Sequence, residues 1–95
     1  MAPTDSPAEG SHDWIEAQVA GRHYSVTTIA HHFAYSYLKP NLRLIGAGFA
    51  AVAFDMISRL PDGPQLTEGL CNLVGVRDHF IRAAMEAERQ GGDDG

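Results

Sequence analysis

Residues 39–90 read KPNLRLIGAGFAAVAFDMISRLPDGPQLTEGLCNLVGVRDHFIRAAMEAERQ, and the breaker Pro61-Asp62-Gly63 divides them into two long runs of helical period. In the first run, Leu42, Ile45, Phe49, Val52, Met56 and Leu60 recur at steps of three or four, which predicts the core stripe of an amphipathic helix. Pro40 suits its first turn and Pro61 ends it. The second run carries Leu66, Leu70, Leu73, then position 77, then Phe80 and Ala84, and is expected to stop near Gln90 at Gly91-Gly92. Asp62 with Gln65 resembles a capping box at its start. At about 1.5 Å per residue each helix spans roughly 30 to 40 Å. A bare pair of such helices has no interior, so the N-terminal segment, further copies of the chain, or both must complete it.

Working outward, Ser11 is a candidate N-cap for a short helix from His12 to about Ala20, with Asp13 and Glu16 near its positive end and Gly21 as its stop. Residues 22–38 are β-branched and aromatic. Phe33, Tyr35 and Tyr37 alternate with Ala34 and Ser36, a period of two that predicts an extended segment. Residues 1–10, rich in Pro, Ser, Ala and Gly, read as a disordered tail, and 91–95 as a second one. The predicted fold is all-α and homo-oligomeric: a long antiparallel two-helix hairpin over 39–90, preceded over 11–38 by a short helix and an extended aromatic segment.

Ninety-five residues make one small domain, for which self-association is a common source of stability. The net charge of −5 is uneven: between Arg22 and Arg82 six basic residues face four acidic ones, while both ends are acidic. This is too weak a positive field for duplex DNA or RNA and suits a small anion held by a few cations. No run approaches a membrane span, and no basic region followed by an apolar core marks the N-terminus, so a cytoplasmic protein without a membrane partner is expected. The single Cys71 excludes an intramolecular disulfide and, placed in the apolar part of a helix, is expected to be a buried free thiol.

The densest cluster of recognition side chains is His31 to Pro40. Tyr35 and Tyr37 offer faces for stacking on a base and hydroxyls for phosphate or ribose. Lys39 and Arg43 lie one turn apart at a helix start, where free N–H groups favour anions. The same aromatics would also serve to cover the open flank of the hairpin. Arg77 falls on the apolar seam between Leu73 and Phe80, where an unpaired charge is costly. It reads as a charge paired at the seam edge or across a subunit boundary, or as an anion ligand. Asp78 and Arg82, four apart, are expected to pair. No two histidines share a helix face at i, i+4, and no nucleophile elbow or phosphate-binding glycine loop occurs, so neither a metal, a cofactor nor an enzyme is expected.

Phe33-Ala34-Tyr35, the turn Leu60-Pro61-Asp62-Gly63-Pro64, and the run Val76-Arg77-Asp78-His79-Phe80-Ile81-Arg82-Ala83 give residues 31–87 a resemblance to a family of small phage proteins. This is the helical-hairpin domain shared by anti-CBASS and anti-Thoeris cyclic-nucleotide sponges. The resemblance implies an all-helical homo-oligomer in the host cytoplasm that sequesters a cyclic nucleotide immune signal without cleaving it. Stacking and phosphate contacts would then fall to Tyr35, Tyr37, Lys39, Arg43 and Arg77. The chain departs from the pattern at Cys71 and Asn72, where basic residues are expected, and its first 30 residues carry no resemblance. The alternative is a structural or protein-interaction hairpin oligomer with no small ligand.

Overall fold

Ser11 caps the first helix, its hydroxyl accepting from the Trp14 amide at 3.2 Å. The computed structural model describes residues 6–94. Among these the secondary structure is entirely helical: α1 over His12–Gln18, α2 over Tyr24–Ala30, a 3₁₀ turn over His31–Phe33, α3 over Pro40–Arg59 and α4 over Pro64–Asp94. Gly21 ends the α1 corner at φ +84°, a backbone state open to glycine without strain.

The extended segment expected over 22–38 is instead α2 and the 3₁₀ turn, followed by an irregular stretch over 34–39. Val26, Ala30 and Phe33 recur at helical spacing and are all fully buried, so tertiary burial outweighs the strand preference of the β-branched residues. The His23 ring caps α2 by accepting from the Ser25 amide at 3.1 Å.

The core lies between α1, α2, the 3₁₀ turn and one side of α3 and α4. Ile15, Val19, Val26 and Phe33 are its largest fully buried members. Trp14 meets Tyr35 and Phe54 edge-on, with centroids 6.0 and 5.6 Å apart.

The face of α3 that meets this core is not the expected one. Leu42, Gly46, Ala50, Ala53 and Ile57 are buried, one residue out of phase with the Ile45-Phe49-Val52-Met56-Leu60 series. Small side chains let the layers approach closely: a Cβ on Gly46 would stand 2.8 Å from that of Tyr35. Val52, Met56 and Leu60 remain exposed.

Helix α4 doubles back on α3. Phe49 stacks on Phe80 at 5.7 Å, and Asn41 near the start of α3 donates to Glu88 near the end of α4 at 3.3 Å. On α4, Leu66, Leu70, Arg77 and Ile81 are buried, whereas Phe80 is exposed. Cys71 is also exposed, which corrects the expected buried thiol. The helix continues through Gly91 to Asp94 rather than stopping at Gly91-Gly92.

Asp62 does not form the expected capping box. It accepts from Arg22 Nε at 2.6 Å and from the His23 amide at 2.8 Å. The same guanidinium donates to the Ile57 and Leu60 carbonyls at 2.5 and 2.7 Å, closing the last turn of α3.

The tail expected over 1–10 lies outside the described residues as far as residue 5. Of the remainder, the Gly10 carbonyl accepts from the Tyr35 and Ser36 amides at 2.9 and 3.2 Å, and Ala8 accepts from Ser11 at 3.0 Å. Helix α3 is long and apolar enough, by length and composition alone, to cross a membrane, which corrects the expectation that no run approaches that length.

Candidate functional site

The five residues expected to bind a ligand lie on the loop 34–39 or contact it or its neighbour α4, and they divide into a buried pair and an exposed trio. Tyr35 and Arg77 lie inside. The Tyr35 ring fills the gap between Gly10 and Gly46, and its hydroxyl donates to Glu9 at 2.8 Å. Burial, reinforced by the Glu9 carboxylate, pushes its phenol up to about 12. Arg77 is 5% exposed, and its Nη2 donates to the Ala34 carbonyl at 3.0 Å while Nη1 reaches Asp78 at 3.1 Å. Asp78 is thus drawn to Arg77 rather than to Arg82. Nε of Arg77 is buried with no partner among the described residues. The ring face of Tyr35 and the guanidinium of Arg77 are both used to hold the chain together.

Tyr37, Lys39 and Arg43 lie outside. Tyr37 is 68% exposed. Lys39 stands 3.8 Å from Glu88 of α4, a loose and solvated pair. Arg43 is exposed, and its Nε donates to the Leu38 carbonyl at 2.8 Å, which orients the guanidinium over the loop. The first turn of α3 has no side-chain cap, so exposed Tyr37, Lys39 and Arg43 flank a helix start whose dipole favours anions. None of the five residues lines the three clefts described next.

One cleft of about 710 Å³ opens between the starts of α2 and α4, lined by His23, Ser25, Asp62, Thr67, Glu68 and Cys71 among others. Ser25 and Thr67 hydroxyls approach to 3.3 Å across it. The Asp62 carboxyl at its rim is lowered below the usual range, first by the His23 amide and then by Arg22. Two further clefts, of about 470 and 360 Å³, lie end to end in the groove between α3 and α4 and meet at Val52.

Glu16, His31 and His12 form a hydrogen-bonded row: His31 Nε2 stands 2.5 Å from Glu16, and its Nδ1 stands 2.8 Å from His12 Nδ1. The row ties α1 to the 3₁₀ turn. Its signal in the sequence is the i, i+4 placement of His12 and Glu16 on one face of α1. No group of three or more residues suited to holding a metal ion occurs among the described residues.

Comparison with known proteins finds no matching family model, no matching curated protein and no matching solved structure.

Proposed function

We propose that the chain is a binding protein built on an α3–α4 helical hairpin, that it works as a homo-oligomer, and that it holds a cyclic nucleotide without cleaving it. The observation that supports this reading is the exposed trio Tyr37, Lys39 and Arg43 around the first turn of α3. A cyclic dinucleotide carries two negative charges and two flat bases. Stacking on an aromatic ring contributes roughly 1–3 kcal/mol per base and a charge-assisted hydrogen bond about 1.5–3. One protomer offers one exposed ring here and two cations, enough for one stack and the contacts to phosphate. In a counter-defence role this would withhold an immune signal from its receptor, and affinity alone would be the output.

The test is thermal stability against a panel of cyclic di- and trinucleotides and cyclic ADP-ribose isomers. A ligand at 100 times its Kd should add about 2.7 kcal/mol, a shift of several degrees, and should be recovered intact. Tyr37→Ala and Arg43→Ala should abolish the shift while leaving the unliganded melting point in place. No shift across the panel sinks this reading.

The second reading is a structural or protein-interaction hairpin oligomer without a small ligand. It is favoured by the apolar side chains that α3 and α4 leave exposed, Leu44 (79%) and Phe80 (55%) foremost. It predicts an assembly that ignores every nucleotide.

A further inference from the structure

The groove between α3 and α4 is uncharged from end to end and apolar except for Gln65 in its lower cleft. Its upper cleft is lined by Leu44, Ile45, Gly48, Phe49 and Phe80, and its lower one by Met56, Leu60, Leu66, Leu70 and Leu73, with Val52 in both. No Lys, Arg, Asp or Glu lines either cleft. Of the regular stripe of α3, Val52, Met56 and Leu60 stay exposed here, while Phe49 and, from α4, Leu66, Leu70 and Leu73 also pack with the core.

We propose that this groove is closed by the same groove of a second copy, about a two-fold axis passing near Val52, with the two α3 helices antiparallel. The inference rests on the oligomeric part of the reading above and not on its ligand.

Area argues for a stable pair. Leu44, Val52, Met56, Leu60 and Phe80 are 79, 48, 37, 45 and 55% exposed, which with the half-buried side chains between them is at most about 600 Å² per copy. Complete burial of two such faces would remove about 1,200 Å², the lower end of the range of specific interfaces. A patch of that size is at the upper end of what a monomer leaves bare, about 300–600 Å².

Shape argues that the occupant is the chain itself. Leu44 and Leu60 lie eight residues to either side of Val52, and Gly48 and Met56 lie four to either side. An antiparallel crossing at Val52 therefore sets the projecting Leu44 against the Leu60 end of its partner's groove. It sets Met56 over Gly48, where a Cβ would meet nothing within 4 Å. Methionine adapts well to such a hollow. The exposed Leu44 and Leu60 then meet across the seam and Met56 meets Gly48, each contact made twice, as in an isologous pair that closes and does not propagate. The uncharged lining places no like charges opposite each other and offers nothing to a nucleic acid or an acidic peptide.

Sedimentation equilibrium of the full chain tests this at about 1 to 200 µM, the range of modest self-association. The wild type should show twice the 10.3 kDa chain mass. Val52→Glu and Gly48→Gln should each weaken association at least tenfold, with unchanged helical circular dichroism. At dilutions where both are monomeric, Gly48→Gln should melt no lower than wild type, because its side chain enters open space. A wild type that stays monomeric at the highest concentration overturns the proposal and leaves the groove to another protein or a lipid surface. Retention of the dimer mass by both variants overturns it as well. The nucleotide shift is read separately: its absence from an intact dimer sinks the ligand reading alone.

Discussion

Arg77 Nη2 donates to the carbonyl of Ala34 across 43 positions of sequence, at 3.0 Å and in the buried interior. This one bond fixes the end of the 3₁₀ turn to the middle of α4. It converts a charge that reads as a ligand contact into a clamp on the loop that presents Tyr37 and Lys39. Arg77→Ala leaves the Ala34 carbonyl unpaired and a cavity beside it, and should cost about 2–4 kcal/mol. Thermal unfolding followed by circular dichroism should show a fall of more than about 8 °C. An unchanged melting point would mean that the guanidinium is not structural.

Glycines on α3 and α4 should divide by face. Gly46→Ala drives a methyl to 2.8 Å from Tyr35 Cβ and 3.1 Å from Leu38 Cδ1, and should destabilise by about 1–3 kcal/mol. Gly75→Ala meets nothing within 4 Å and should stabilise by about 0.5–1 kcal/mol through helix propensity. Urea titration of the two variants gives the sign directly.

Tyr35 makes the fold sensitive to base. Its phenol is raised to about 12 in the folded state against 10.0 for the free group. The folded chain therefore holds that proton more tightly than the unfolded chain. The associated stability is fully present below pH 10 and is lost as pH rises toward 12. Tyr35→Phe should remove this slope. An identical pH profile in the variant would show that the phenol ionises freely.

Arg22 should matter more than its exposure suggests. Arg22→Ala releases the Ile57 and Leu60 carbonyls and the Asp62 carboxylate together, at a cost of about 1–3 kcal/mol. Asp62 is held below its ordinary value, so its contribution is present above the usual carboxylate range and fades on acidification through its folded-state pKa. Amide exchange should accelerate first at residues 57–60.

The sequence signals that transferred to the structure are the local ones. Ser11 as a cap, Pro40 at a helix start and the break at 61–63 act through nearby backbone, and each lies where its chemistry places it. Several readings failed through distant contacts, as the capping box at Asp62 did to Arg22 and His23. Residues 24–33 carry strand-prone side chains, but Val26, Ala30 and Phe33 find a core only as a helix. On α3, large side chains dominate any pattern read from sequence. Between Leu42 and Ile57 the inner face is made of Gly46, Ala50 and Ala53, because bulk beside Gly46 is supplied by Tyr35 and Leu38. Among the five ligand candidates, aromatic and basic character was legible. Which of them point inward depends on the loop path from 34 to 39, for which no short-range signal exists.

The carbonyl of Gly10 serves two amides of the loop, and a Cβ at residue 10 would stand 2.7 Å from the Tyr35 ring. The stretch ahead of α1 is therefore the back wall of the ring's niche. A version of the chain begun at Ser11 would keep every helix yet strip two loop amides of their acceptor and uncover one side of the ring. Proteolysis between Ala8 and Ser11 should act the same way, loosening the surface that carries Tyr37 from behind, at a distance from any residue on that surface.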